Sequence, residues 1–165
     1  MDEQPIQLHK EVVQPIPATA RHPKRVDYEY EYERAGTASL FMFTEPLRGW
    51  RQATVRQRRT KVDWAVEVAA LLEGPYADYP QLQLVCDNLN THTKSAFYEA
   101  FEPERARQLV RRLQFCYTPK HDSWLNVAET ELSAMTRQCV DRRRFGDIET
   151  LRAEIAAWST DINNA

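Results

Sequence analysis

A carboxylate stands directly after a short apolar run in the segment LVCDNLNTHT, residues 84–93. Asp87 follows Leu84, Val85 and Cys86, and such a run predicts a buried strand that ends at the acid. A carboxylate in that position is destabilising unless it is protonated, hydrogen-bonded or bound to a metal ion. Two interpretations remain open for Asp87 alone: it caps the following turn through its own side chain, or it belongs to a chemical site.

Further acids follow the next predicted strand along the chain. In YTPKHDSWLNVAETEL, residues 117–132, a loop leads into a predicted helix that carries Glu129 and Glu131. If this strand lies beside LQLVC, the helix starts at the same edge of the sheet as Asp87. Both glutamates flank the apolar stripe of the helix, and Glu129 is modestly preferred because it lies about 3 Å nearer the helix start.

Convergent carboxylates without a cluster of histidines or cysteines are typical ligands of Mg²⁺ or Mn²⁺. Two such ions in one site support attack and departure at a phosphodiester. The acids therefore favour metal-dependent phosphoryl transfer as the chemistry of this chain.

The elements that must position these acids begin after a proline-rich segment, because residues 3–25 hold four of the nine prolines. This segment predicts an extended or partly disordered arm, with regular structure only after it. Three strand-like runs follow as an antiparallel meander. They are residues 27–36, in which tyrosines alternate with acids, and then 37–46 and 50–60.

Helix and strand signals alternate in the remainder of the chain. Thr60 and Asp63 form a capping-box pattern that starts a helix, and Gly74 ends it. LQLVC, residues 82–86, predicts an interior strand covered on both faces. The remaining elements are a helix after Thr93 that Pro103 interrupts, a strand over 113–119, a helix over 123–140 and a helix after Gly146. The order predicts an α/β fold with a mixed five-stranded sheet and helices on both faces.

Composition and charge limit the classes of function. The chain has 165 residues, 42% of them hydrophobic, and a formal net charge of −2, so we expect one compact domain without general attraction to polyanions. Any nucleic-acid site must be local. No apolar run approaches the roughly 18 residues that span a bilayer, and the first residues lack a signal-peptide pattern. We expect a cytoplasmic protein with no membrane partner.

The chain contains three cysteines, Cys86, Cys116 and Cys139, which are odd in number and far apart. They lie within apolar patterns, and no CxxC pair is present. This spacing predicts reduced core thiols rather than disulfides or a thiolate metal site.

The segments LVCDNLNTHT and YTPKHDSWLNVAETELS together resemble the catalytic domain of insertion-sequence transposases related to the Tc/mariner group. These proteins belong to the DDE superfamily and have a ribonuclease-H-like fold. The similarity continues through YEYERAGTASLFMF, the GW turn and RQCVDRR, so it covers nearly all of the chain. The resemblance implies metal-dependent DNA strand cleavage and strand transfer.

The resemblance also implies roles for individual acids. Asp87 of the DN motif corresponds to the second catalytic acid, and Glu129 of the NxxE motif that starts at Asn126 corresponds to the third. The first acid of the family lies in a DE dipeptide, for which Asp2 followed by Glu3 is the match. Together these three acids would hold a two-metal site for Mg²⁺ or Mn²⁺.

Several other polar residues are candidates for support or DNA contact. Arg56, Arg58, Arg59 and Lys61 form one basic cluster, and Arg142, Arg143 and Arg144 form another; either could neutralise DNA phosphates or remain a solvated surface. His92 is a candidate for a phosphate contact or for a loop hydrogen bond. Asn88, Lys120, His121 and Asn126 complete the set of supporting or DNA-binding candidates.

The resemblance predicts a domain organisation with an incomplete start. We expect residues 1–25 to be an N-terminal arm with the end of strand one, residues 26–165 to be the catalytic domain, and the family's helix-turn-helix DNA-binding domain to be absent. Asp2 is then expected to fray, and the isolated chain to fold without excising or joining element ends.

Three functions remain open from the sequence. The first is a transposase domain that acts on transposon ends and target DNA, with a homodimer or an upstream-frame transposase half as further partners. The second is a catalytically inactive remnant or interaction module of a decayed or frameshifted transposase. The third is an unrelated ribonuclease-H-like hydrolase, which fits the acids but not the extended motifs.

Overall fold

The computed structural model describes residues 1–12, 16–23, 32–119 and 126–164. Within these ranges the chain forms five strands and five α-helices in the order β1-β2-β3-α1-β4-α2-α3-β5-α4-α5. The strands are β1 (Asp2–Glu11), β2 (Tyr32–Glu45), β3 (Trp50–Arg56), β4 (Leu82–Cys86) and β5 (Leu113–Tyr117). The helices are α1 (Lys61–Glu73), α2 (Lys94–Ala100), α3 (Pro103–Arg111), α4 (Val127–Met135) and α5 (Ile148–Asn164). A short 3₁₀-helix at Pro46–Arg48 precedes β3, and a π-helical turn at Thr136–Val140 extends α4.

The first three strands form an antiparallel sheet in the order β1-β2-β3. The predicted antiparallel pairing of the runs at 37–46 and 50–60 is confirmed. The predicted pairing of 27–36 with 37–46 is wrong over the described part of these runs, because the other neighbour of β2 is β1. Asp2–Glu11 pairs with β2 along its whole length, from Asp2 opposite Met42 to Glu11 opposite Tyr32. The expectation that regular structure begins only after residue 25 is wrong, because the alternation of buried Ile6 and Leu8 with exposed neighbours outweighs the single proline at position 5.

The runs at 27–36 and 37–46, predicted as two strands, are joined in one strand over their described part, with residues 27–31 lying outside the described residues. Gly36 lies at the join with φ +109°. The pairing register with β1 shifts there, between Leu8 and His9. A glycine tolerates this backbone at low cost, so the strand bends and continues instead of ending.

The last two strands form a separate parallel pair, with Leu82 opposite Leu113 and Cys86 opposite Tyr117. The amino group of Met1 donates a hydrogen bond of 2.6 Å to the carbonyl oxygen of Val85, which brings the start of β1 beside β4. The count of five strands and the mixture of parallel and antiparallel pairs agree with the prediction. Within the described residues they form a three-stranded and a two-stranded sheet, not one five-stranded sheet.

Alternation along β2 divides the core into two layers. Phe41 and Phe43 pack in a cluster with residues of α1, α2, β4 and β5, including Trp64. Leu40 and Met42 point the other way and pack with α4 and α5. Helices therefore cover both faces of the three-stranded sheet, as the sequence predicts, because successive side chains of a strand point to opposite faces.

The predicted cover on both faces of β4 is wrong. Leu84 is 5% exposed and Cys86 is fully buried, whereas the intervening Val85 is 46% exposed. An apolar run does not distinguish a strand buried on two faces from one whose second face borders an open cavity. The three cysteines are free thiols, which confirms that prediction. Within the described ranges, no helix combines the length and apolar character needed to cross a bilayer.

Helix α1 begins with the capping box that the sequence predicts. The Thr60 hydroxyl accepts from Asp63 N–H, and the Asp63 carboxylate accepts from Thr60 N–H. The helix ends at Gly74, whose N–H donates to the Ala70 carbonyl at 3.0 Å. This helix carries Trp64, the largest fully buried side chain of the core.

We expect Thr60→Ala to lower the free energy of unfolding by about 1 kcal/mol, because the substitution leaves an N-terminal amide of α1 without its acceptor. Urea unfolding followed by circular dichroism measures this. Thr160→Ala is the matched control, since Thr160 is exposed within α5 and its hydroxyl bonds only the Ala156 carbonyl. An equal loss for both variants would contradict a specific contribution of the capping box.

Candidate active site at the strand ends

Asp87 follows the last residue of β4, where the carboxyl ends of two parallel strands meet. Its side chain is 31% exposed, and its Oδ1 atom lies 2.6 Å from Nδ1 of His92. Apart from this ion-pair contact, Oδ1 is buried without a hydrogen-bond partner among the described residues. Asp87 thus presents a partly desolvated carboxylate at the sheet edge with capacity for a further ligand.

Asp2 is held in β1 opposite Met42. The preceding residue, Met1, is 5% exposed. The expectation that Asp2 frays is therefore wrong, because β2 pairs with it on one side and the Met1 amino group bonds β4 on the other. Burial raises the pKa of Asp2, a hydrogen bond from Glu3 N–H opposes this, and the charges of Asp87 and Glu129 raise the pKa further.

Glu129 lies in the first turn of α4, and Asn126 fixes the start of that helix. The Asn126 side chain accepts from Ala128 N–H at 3.3 Å and donates to the Met1 carbonyl at 3.0 Å. Asn126 is 3% exposed, so it is a buried link between α4 and the start of β1. The NxxE spacing thus sets a helix cap next to Met1 and an acid one turn later.

The three predicted acids come from positions far apart in the sequence, yet the charges of Asp87 and Glu129 both act on Asp2. They are not gathered into a closed chelate: in the described part of the chain, no three Asp, Glu, His or Cys side chains are close enough to hold one ion together. The structure thus brings the acids to one edge as electrostatic neighbours.

The acids fit a divalent ion by the chemistry of their donors. Carboxylate oxygens are the ligands that Mg²⁺ and Mn²⁺ prefer, and Oδ1 of Asp87 is a buried oxygen with unused acceptor capacity. The mutual repulsion that raises the pKa of Asp2 is the kind of strain that a bound cation relieves.

Glu131 has a different environment. Its carboxylate forms a two-point ion pair with Arg51 of β3, through Nε and through Nη2, the second contact at 3.1 Å. The side chains of Arg51 and Glu131 are 25% and 16% exposed. This pairing supports the prediction that Glu129, and not Glu131, belongs with Asp87.

Of the two roles left open for His92, the structure shows the loop hydrogen bond, because the ring is buried and its Nδ1 atom lies 3.3 Å from the carbonyl oxygen of Asp87. His92 is 0% exposed. Its Nε2 atom lies 3.0 Å from Oε1 of Glu3, and its Nδ1 atom faces Asp87. Burial by itself lowers the pKa of His92, but hydrogen bonds with Cys86 and Glu3 and the charges of Glu3 and Asp87 prevail and raise the pKa to about 10.

Glu3 is a functional candidate that the sequence analysis missed, although it stands in the DE dipeptide. Its side chain is 2% exposed and pairs with the equally buried ring of His92. The sequence signal that could have identified Glu3 is the two-residue period of a strand, which places Glu3 and Asp2 on opposite faces.

The remaining predicted residues divide into four groups. Asn88 is exposed next to Asp87. Arg143 pairs with Glu154 at 2.9 Å, Arg144 pairs with Glu11 at 2.9 Å, and Arg142 lies 3.9 Å from Asp141, so this basic cluster has acidic partners. In the first basic cluster, Arg56 bonds Glu67 at 2.5 Å, while Arg58 and Arg59 are exposed. Lys120 and His121 lie outside the described residues.

A cavity of about 450 Å³ lies beside the acids without including them. Its walls come from the ends of β2 and β4 and the start of α4, and include Trp50, Tyr76, Val85 and Val127. The lining is mainly apolar, so the cavity is not the site of the carboxylate chemistry.

Comparison with family models gives a match over residues 1–152 to the family described as DDE superfamily endonuclease. The chain belongs to this family. The matched region includes Asp2, Asp87 and Glu129, and the match confirms the DDE superfamily that the DN and NxxE motifs indicate. Searches of curated proteins and of solved structures found no significant match.

We expect Asp2→Asn to stabilise this DDE endonuclease at neutral pH in metal-free buffer. A raised pKa means that folded Asp2 holds its proton more tightly than unfolded Asp2. Its contribution to stability is therefore present at low pH and lost as pH rises through the folded pKa.

The stability difference between Asp2→Asn and the unsubstituted protein should thus grow from pH 4 to pH 7 in thermal unfolding with chelator present. Asp147→Asn provides the opposite control. Hydrogen bonds from Thr150 lower the pKa of Asp147, so its removal should destabilise the protein more at pH 7 than at low pH. A pH-independent difference for Asp2→Asn would contradict the assignment.

Proposed function

We propose that this chain is the catalytic domain of a DDE transposase related to the Tc/mariner group, which cuts DNA strands at element ends and transfers them to target DNA. Asp2, Asp87 and Glu129 are its catalytic acids and metal ligands. Asn88 and Asn126 support them. The arrangement proposed for the complete domain is a ribonuclease-H-like sheet in which β1 lies between β2 and β4.

The observation that carries the proposal is that Met1 bonds Val85 of β4 at 2.6 Å and Asn126 at the start of α4 at 3.0 Å, which places the neighbouring Asp2 near Asp87 and Glu129. Partly desolvated carboxylates that lie near one another are unfavourable for folding, and such groups are found at functional sites more often than elsewhere. The family match supports DNA cleavage as the reaction class, and the arrangement of the strand and helix ends supports the choice of Asp2, Asp87 and Glu129.

The proposed cofactor is Mg²⁺ or Mn²⁺, in a two-metal site. The chemistry that such ions supply when bound is stabilisation of the charge that develops on the attacking and leaving oxygens of a phosphodiester. The residues of this chain fix the positions of the ligands: β1 holds Asp2, the end of β4 holds Asp87, and the capped start of α4 holds Glu129.

The proposed partner is DNA, at transposon ends and at the target. The net charge of −2 gives no long-range attraction, so DNA affinity must come from local contacts. Exposed Arg58 and Arg59 are candidates for such contacts. A second copy of the chain and a transposase half encoded in an upstream frame are further proposed partners, and the proposed place of action is the cytoplasm, on the nucleoid.

The decisive experiment is a strand-cleavage assay on a labelled duplex that carries an end of the element. It uses the 165-residue chain and a version extended by the residues encoded directly upstream, each with Mg²⁺ or Mn²⁺. We expect Asp87→Asn and Glu129→Gln to reduce metal-dependent cleavage by more than ~100-fold, since even residues behind metal ligands contribute about 10- to 100-fold.

Glu131→Gln is the matched control in the same helix and should retain most of the cleavage, because Glu131 pairs with Arg51. A loss as large as that for Glu129→Gln would refute the assignment of Glu129. Metal-dependent cutting of an RNA–DNA hybrid in preference to the duplex would favour a ribonuclease-H-like hydrolase. Failure of both folded versions to cut any substrate would favour the inactive remnant.

A further inference from the structure

A buried imidazole links two carboxylates at the edge of the proposed active site. His92 is 0% exposed. One ring nitrogen lies 3.0 Å from Oε1 of Glu3 on β1, and the other lies 2.6 Å from Oδ1 of Asp87 after β4. The ring therefore bridges β1, which carries Asp2 and Glu3, and the residue that directly follows β4, Asp87.

The ring is held on every side by the protein. It stacks on the indole of Trp64, with ring centroids 5.2 Å apart and an interplanar angle of 29°. The backbone N–H of His92 donates to the Leu89 carbonyl at 3.0 Å. The His92 carbonyl accepts from the Tyr117 hydroxyl at 2.9 Å, which ties the loop after β4 to the end of β5. His92 thus has a fixed position from which to orient a neighbour.

The alternation of β1 explains why Glu3 reaches this ring while Asp2 does not. Asp2 lies opposite Met42, whose side chain packs in the layer with α4, and Glu3 lies opposite Phe41, whose side chain packs in the layer with Trp64. Consecutive residues of a strand point to opposite faces. The DE dipeptide therefore places one acid toward the helix of Glu129 and the other toward His92.

We propose that Glu3 and His92 are positioning residues that fix the orientation of the Asp87 carboxylate for binding a divalent cation. This inference rests on the proposed function. The side chain of Asp87 is 31% exposed, and its Oδ1 atom has the 2.6 Å ion-pair contact with His92 but no hydrogen bond from a described residue. The same ring nitrogen also lies 3.3 Å from the Asp87 carbonyl oxygen. Without the ring, the side chain of Asp87 would be free to rotate at the sheet edge.

The geometry separates this role from DNA contact. A fully buried ring cannot reach a phosphate, and Glu3, whose side chain is 2% exposed, cannot reach one either. Residues of this kind act on metal ions through the ligand they orient, and their substitution typically lowers metal affinity about 10- to 100-fold.

The test measures Mn²⁺ affinity of the full 165-residue chain by isothermal titration calorimetry, with folding checked by circular dichroism. We expect His92→Gln to weaken binding about 10- to 100-fold, because glutamine can place an amide near the Nε2 position but not beside Asp87. His92→Asn, which can place a donor near the Nδ1 position, should recover part of the affinity. Glu3→Gln should weaken binding in the same direction and less.

His9→Gln is the matched control, since His9 lies near the opposite end of β1 and pairs with Arg34 of β2. It should leave Mn²⁺ affinity unchanged. A second measurement, the ¹⁵N chemical shifts of the His92 ring in metal-free protein, should change mainly at Nε2 in Glu3→Gln and mainly at Nδ1 in Asp87→Asn.

Mn²⁺ affinity equal to that of the unsubstituted chain in folded His92→Gln and Glu3→Gln would overturn the positioning role while leaving the metal site itself standing. If Asp87→Asn also bound Mn²⁺ like the unsubstituted chain, the proposed metal site and the positioning role would both be wrong. If His92→Gln does not fold, the positioning role is tested by the Mn²⁺ affinities of Glu3→Gln and His92→Asn and by the ¹⁵N chemical shifts of the His92 ring.

Discussion

The pairing of β1 with β2 is the constraint on which the rest of the site depends. Ten residues of β1 follow β2 in antiparallel register, and this register fixes which residues face each helical layer. Asp2 and Glu3 are neighbours in the chain but are separated by the sheet. One residue of slip would exchange their faces and would turn the charge of Asp2 into the aromatic layer around Trp64.

The acids of this domain fall into two kinds, those that form an ion pair with an arginine and those that do not. Glu131 and Glu67 have arginine partners, Arg51 and Arg56, at the margins of the sheet. Asp2, Asp87 and Glu129 have no such arginine among the ion pairs of the described residues, and burial and mutual repulsion raise the pKa of Asp2. The contrast separates acids that are paired with arginine from acids that are not.

Hydrogen bonds at a helix cap and in a loop connect the acids to the strands. Asn126 bonds Met1 and caps α4, so the position of Glu129 depends on the position of β1. Tyr117 bonds the backbone of His92, so the loop that follows Asp87 depends on β5. The positions of Glu129 and of the loop after Asp87 therefore each depend on one side-chain hydrogen bond to another part of the chain.

The sequence by itself determined the elements with strong periodicity and the acids with a motif around them. The capping box of Thr60, the apolar strand LQLVC and the DN and NxxE motifs are local patterns, which can be recognised from neighbouring residues alone. Asp87, Asn126 and Glu129 could be chosen as candidates from residue types and spacing, and the family followed from the same segments.

Only the tertiary structure decided the position of β1 and the contact between Glu3 and His92. The strand Asp2–Glu11 contains a proline and several polar residues, and it becomes regular through its long-range pairing with Tyr32–Glu45. The buried contact of Glu3 with His92 joins residues 89 positions apart, and no local pattern encodes it. Sequence spacing fixes side-chain direction within an element, whereas the meeting of two elements depends on how the whole core packs.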